Sequence, residues 1–203
     1  MIGAEFAELR ALHYLFKPLT TLLIAAMVMR MATAESGYRR AVLAGLLLSL
    51  FGDVFLMLPG DRFAFGLGSF LLAHLCYLRA FRMRGGWFQP SWPVFAYAVI
   101  TAGVLACLWP HLPAELRIPV VVYVAALAGM AAQAAYVWRQ RPGAATAMAA
   151  LGGACFVVSD ALLAVDRFAT AIPFASVWVL ASYWTAQWLI GRSAVSAGEA
   201  SQK

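Results

Sequence analysis

Long apolar runs broken by short polar stretches dominate the chain, with none of the strict two-residue alternation of a half-buried strand. Seven runs stand out, at approximately 11–30, 41–58, 63–80, 92–109, 117–138, 145–164 and 174–191. Each is close to the ~20 residues that a helix needs to cross bilayer hydrocarbon. Open strands cannot span, because lipid would leave their backbone groups unsatisfied, and the dyad pattern of a barrel is missing. The pattern predicts an all-α fold, a polytopic transmembrane helical bundle of about seven spans, with residues 1–203 forming a single transmembrane domain. Pro59-Gly60, Arg84-Gly85-Gly86, Trp109-Pro110 and Arg141-Pro142-Gly143 are the turn signals between runs. Trp87, Trp92, Trp109, Trp138 and Trp178 fall near predicted helix ends, where an indole suits the headgroup layer.

Composition sharpens this picture. Only 12% of residues are charged and 64% are hydrophobic, against about a quarter charged in a soluble domain, which excludes a soluble enzyme. The first ten residues carry two Glu and one Arg, and no small-residue cleavage site follows the first run, so that run is expected to remain in the mature protein. Cys76, Cys107 and Cys155 lie in apolar runs without CxxC spacing and suggest neither disulfides nor a thiolate metal site.

The net charge of +6 would suit nucleic acid if it were spread over one face, but the basic residues cluster at the ends of runs and set topology instead. No nucleic-acid partner is expected. One side of the bundle would hold Arg30, Arg39, Arg40, Arg79, Arg82, Arg84, Arg139, Arg141, Arg192 and Lys203, and the other Arg10, Lys17, Arg62, Arg117 and Arg167. The richer side should be cytoplasmic, placing the N-terminus outside and the C-terminus inside, in a bacterial inner membrane.

Two carboxylates interrupt the hydrocarbon. Asp53, in Ser49-Leu50-Phe51-Gly52-Asp53-Val54-Phe55-Leu56, and Asp160, in Val158-Ser159-Asp160-Ala161-Leu162, each sit inside a predicted span. An Asp at the centre of a span costs roughly 2.5–3.5 kcal/mol on insertion scales, so each is a candidate functional residue. Both lie about four or five residues from the outer end of their span, roughly 7 Å at ~1.5 Å per residue, and Lys17 opens the first span on the same side. His74, Tyr77, Tyr183 and Gln187 lie deeper and are expected to form the floor of an outward-open pocket. Interhelical packing and hydrogen bonding are the better explanation of Ser49, Gln133 and Tyr77, and explain His74 and Gln187 as well as a functional role does. His13 and Lys17, four apart, would share a face if the helix ran through Pro18.

Five segments in order then become recognisable. Phe16-Lys17-Pro18-Leu19-Thr20, Gly52-Asp53-Val54-Phe55-Leu56, Gly66-Leu67-Gly68-Ser69-Phe70 with Ala73-His74-Leu75-Cys76-Tyr77, Ser159-Asp160-Ala161-Leu162-Leu163, and Tyr183-Trp184-Thr185-Ala186-Gln187 resemble the lysoplasmalogenase family, also called YhhN-like membrane proteins. The resemblance covers residues 16–187. It implies a membrane hydrolase that cleaves the vinyl ether bond of a lysophospholipid, the lysoplasmalogen, to a fatty aldehyde and a glycerophospho-headgroup. Relatives often have eight spans, and this chain begins close to its lysine motif, so the first of the eight is expected to be missing.

Vinyl ether hydrolysis starts with protonation of carbon and leaves an oxocarbenium-like centre that water captures. It needs one acid and one anion, which Asp53 and Asp160 in unlike surroundings supply; which is which stays open at this stage. Lys17 would hold one carboxylate ionised or meet the lipid phosphate, while His74, Tyr77, Tyr183 and Gln187 would position water or substrate. No cofactor or metal is expected, since a zinc hydrolase needs about three His ligands and only His13 and His74 lie in spans. Paired aspartates would also serve a small proton-coupled transporter or an intramembrane aspartyl protease-like protein, although a second Gly-x-Gly-Asp motif is absent.

Overall fold

The structure, a computed structural model, describes residues 2–31, 35–60 and 62–194, with residues 2–15 described by their backbone alone. Lys203 and the side chains of Arg10 and His13 therefore lie outside the described residues. The described residues form seven α-helices and no strand: α1 (Ile2–Arg30), α2 (Ser36–Met57), α3 (Phe63–Gly85), α4 (Trp92–Leu108), α5 (Ala114–Gln140), α6 (Ala144–Phe168) and α7 (Ala175–Arg192), with one 3₁₀ turn at Trp109–His111. Every apolar run is thus helical. Five of the helices, α2, α3, α4 with its 3₁₀ turn, α5 and α6, are long and apolar enough to cross a membrane. All five tryptophans expected at helix ends are exposed there.

The helices extend beyond the apolar runs because the sequence stops them with turn chemistry rather than with loss of hydrophobicity. Gly60 and Gly86 adopt positive φ, 86° and 70°, in the turn after α2 and directly after α3, a backbone region where a Cβ is strained. At α1 the helix runs straight through Pro18, whose missing N–H leaves one carbonyl of the preceding turn without its usual donor.

Helix α1 packs on α2 and α7, α2 on α3, α3 on α5, α5 on α6 and α6 on α7, so six helices close a ring. Helix α4 lies outside it against α5 and α6, and is the least buried of the five apolar helices. Small residues decide where the ring is tight. A Cβ on Gly45 would stand 2.2 Å from the Tyr77 ring, one on Gly52 2.6 Å from the Phe70 ring, and one on Gly153 3.1 Å from the Ala131 backbone. Such close approach lets dispersion contacts and interhelical hydrogen bonds hold helices together where lipid offers no hydrophobic driving force.

Two polar clusters tie the ends. Gln133, buried on α5, accepts from Phe88 N at 3.0 Å and donates to Gly86 O at 2.8 Å, fastening the α3–α4 connection. Arg84 donates to Ser193 O at 2.7 Å, pairs with Glu35 and lies over the Tyr38 ring at 3.5 Å. Three helices and the α1–α2 connection meet at this one guanidinium.

Candidate active site

Asp53 is fully buried on α2, one residue after Gly52, whose lack of a side chain admits the Phe70 ring of α3. Its charge is met from two other helices. Lys17 Nζ of α1 lies 3.1 Å from Asp53 Oδ1, while Oδ2 accepts from Tyr183 OH of α7 at 2.7 Å and from Thr21 Oγ1 at 3.2 Å. Behind Tyr183 the polar chain continues: Gln187 Nε2 donates to Tyr183 OH at 3.1 Å, and Tyr77 OH donates to Gln187 Oε1 at 2.6 Å. Every donor in this chain points toward the carboxylate, the arrangement in which hydrogen bonds to a charged acceptor reinforce one another. Lys17 Nζ also stands 5.8 Å from the centre of the Tyr183 ring.

Asp160 has different company. Tyr123 OH of α5 donates to Asp160 Oδ2 at 2.5 Å, and no ion pair to Asp160 occurs among the described residues. Tyr123 is held edge-on by His74 at 5.2 Å, and His74 by Phe156 at 4.7 Å. Phe156 in turn meets Tyr183 at 5.6 Å, and Phe70 meets it from the other side at 5.9 Å. One aromatic layer therefore fixes both phenols that serve the two carboxyls.

Asp53, Asp160, Lys17, Tyr123 and Tyr183 all line a single cavity of about 90 Å³ in the half of the bundle nearest the α2–α3 and α6–α7 connections. That is several times the ~10–15 Å³ needed to hold one water. Apart from Thr101 and Ser159 the rest of its wall is hydrocarbon, drawn from α2 through α7, with Leu67, Leu105, Leu127 and Leu180 typical. Helix α4 supplies Thr101, Val104, Leu105 and Leu108, closing the wall from outside the ring.

Of the residues singled out in the sequence, Asp53, Asp160, Lys17 and Tyr183 reach this cavity. His74, Tyr77 and Gln187 do not line it. Tyr77 and Gln187 stand behind Tyr183 as its hydrogen-bonded support, and His74 is a buried ring set edge to face behind Tyr123, with no hydrogen-bond partner on either nitrogen among the described residues. The expected floor is thus reduced to Tyr183, because the aromatic layer fills the space beneath it. Tyr123 and Thr21 did not stand out in the sequence. A tyrosine between Val122 and Val124 in an apolar helix was the available signal, since a buried phenol needs an acceptor.

A helical bundle with paired carboxyls in an apolar, lysine-bearing cavity defines a class, that of integral membrane proteins with an intramembrane polar site. Comparison makes it specific: the YhhN family model matches residues 12–194, and the chain belongs to the YhhN family. A protein named lysoplasmalogenase from Mycobacterium bovis is 35% identical over 195 residues, covering 93% of this chain and 72% of that one. The pig protein named lysoplasmalogenase TMEM86B is 36% identical over 171 residues, 81% of this chain and 68% of its own. The uncharacterized membrane protein YhhN of Escherichia coli is 30% identical over 184 residues, 89% of this chain and 86% of its own. No solved structure matches the chain.

Proposed function

We propose that the chain is a lysoplasmalogenase, a single transmembrane domain of seven spans that hydrolyses the vinyl ether bond of lysoplasmalogens at the Asp53–Asp160 cavity. The observation that carries this is the meeting of two carboxyls, Asp53 buried and ion-paired and Asp160 half-buried with no ion pair among the described residues, in one apolar cavity of a protein whose relatives carry that name. Hydrocarbon walls suit an alkenyl chain, and the polar end receives the ether.

Unlike surroundings divide the labour. Asp53, with Lys17 and two hydroxyls on it, is the anion; Asp160, which accepts from the Tyr123 phenol and has no ion pair among the described residues, is the acid. Asp160 gives its proton to the outer vinyl carbon, the C=C electron pair forms the new C–H bond, and the oxocarbenium that results is faced by the Asp53 carboxylate. Water adds to the cationic carbon while Asp53 takes its proton, giving a hemiacetal. Asp53 then returns that proton to the glycerol oxygen as the C–O bond breaks, and Asp160 takes the hydroxyl proton. Aldehyde and glycerophospho-headgroup leave with both carboxyls restored. Tyr123 and Tyr183 hold the two groups in place, with Gln187, Tyr77 and His74 supporting them from behind.

The test is chemical. Purified protein should release aldehyde from a lysoplasmalogen and leave the saturated alkyl ether analogue intact, since that bond has no carbon to protonate. Equal cleavage of ester lysolipids would identify an ordinary lysophospholipase and defeat the proposal.

A further inference from the structure

Arg117, half-buried in the first turn of α5, has no ion pair among the described residues, and its buried Nε has no hydrogen-bond partner there. A buried donor left unpaired is costly and asks for an acceptor. The guanidinium lies over the Trp109 ring, 5.1 Å from its centre, a contact made with the ring face. Leu108 and Leu112, on either side of Trp109 in the chain, line the cavity. On α5, Arg117, Val120, Val124 and Leu127 recur at three- and four-residue spacing and so follow one face, and the last three also line the cavity. Arg117 thus stands where that wall ends, at the α4–α5 connection. Tyr123, the donor to Asp160, is six residues further along, about 9 Å at 1.5 Å per residue. Other cations at this end of the bundle are differently placed: Lys17 is paired with Asp53, Arg167 lies over Phe63 and Phe168, and Arg62 is exposed.

From this geometry we infer that Arg117, seated on Trp109, binds the phosphate of the lysophospholipid whose vinyl ether lies at Asp160. The inference rests on the hydrolase proposal for the substrate but not on its bond-breaking steps. Seven covalent bonds separate the vinyl carbon that takes the proton from phosphorus, a reach of roughly 8–9 Å at bond lengths near 1.5 Å, which matches the rise from Tyr123 to Arg117. A guanidinium presents a planar fork to two phosphate oxygens, and an anion of this kind supplies the acceptor that the buried nitrogen lacks. Two carboxyls at the polar end of the cavity repel a phosphate, and the lysine there is already paired with Asp53, so the headgroup needs its own cation away from them.

Binding separates this from turnover. A saturated 1-O-alkyl lysophospholipid and the matching 1-O-alkyl glycerol, which lacks phosphate, are titrated into the solubilised full chain. Wild-type protein should bind the phospholipid more tightly. Arg117→Gln should weaken the phospholipid about tenfold, the loss of one charge-assisted contact, and leave the alkyl glycerol unchanged, which also shows that the variant is folded. Arg117→Lys should recover part of the loss, and Arg62→Gln, at an exposed cation of the same end, should alter neither ligand. Millimolar inorganic phosphate should not displace the lipid. The inference is overturned if wild-type protein does not prefer the phospholipid, if Arg117→Gln leaves its affinity intact or weakens both ligands equally, if Arg62→Gln costs as much as Arg117→Gln, or if free phosphate competes. Failure of wild-type protein to release aldehyde would instead sink the hydrolase proposal and leave this comparison standing.

Discussion

Two aspartates with the same side chain have different neighbours here, and substitution tests the different work proposed for them. Asp53→Asn and Asp160→Asn preserve shape and remove ionisation, so each should lower aldehyde release about 10²–10⁴-fold, the usual contribution of one general acid–base group. The double variant should be little worse than either single one, because groups acting as a unit are non-additive. Near wild-type turnover in both single variants would reduce the pair to interhelical glue. Tyr123→Phe keeps the ring against His74 but deletes the donor to Asp160, and should cost about 10- to 100-fold in rate, matching the ~1.5–3 kcal/mol of a hydrogen bond to the carboxylate that Asp160 becomes as it gives up its proton. Lys17→Met leaves a fully buried carboxylate without its cation, a loss of about 3–5 kcal/mol; a melting temperature unchanged in detergent would contradict the ion pair's structural part.

Helices transmit these effects through their contacts. Phe70 is seated by Gly52 and braces Tyr183, so Gly52→Ala acts on the site without touching a polar atom. The new Cβ would lie 2.6 Å from the Phe70 ring, and overpacking of this kind costs about 1–3 kcal/mol. Thermal melts should fall, and turnover should fall with them as Tyr183 shifts from Asp53. Gln133→Leu, on α5 beneath the α3–α4 connection, makes a control. It orphans Phe88 N and Gly86 O, at about 1–3 kcal/mol, yet lies away from the cavity, so stability should drop while kcat is retained.

At the scale of the whole molecule, we propose that the two-to-one division of Lys and Arg between the ends of the bundle orients the chain, with its C-terminus in the cytoplasm. A C-terminal alkaline phosphatase fusion should be inactive and a C-terminal green fluorescent protein fusion bright; the opposite pair of results would invert the topology. With that orientation, the proposed one, the cavity would open toward the outer leaflet. Arg84 shows why charge counting alone is coarse: it counts toward topology, yet it also joins Glu35, Tyr38 and Ser193 into the clasp at the other end.

Apolar periodicity by itself determined the helices, since a backbone in lipid has few other ways to satisfy its hydrogen bonds, and Asp53 and Asp160 announced themselves because a carboxyl in hydrocarbon is costly enough to need a reason. Residues 16–187 also carried the family motifs in order. Three things were decided only by tertiary packing. Convergence of Lys17, Asp53 and Asp160 on one cavity depends on which helices neighbour one another, and spacing along the chain says nothing of that. The partners of Asp160 follow from the register of α5 against α6, which brought Tyr123 forward and left His74 behind it. The depth of the cavity was set by aromatic rings filling the ring of helices, so that Tyr77 and Gln187 became supports of Tyr183 rather than its companions in the wall. Side-chain volume in three dimensions made those choices, and a one-dimensional pattern of polar and apolar positions does not contain it.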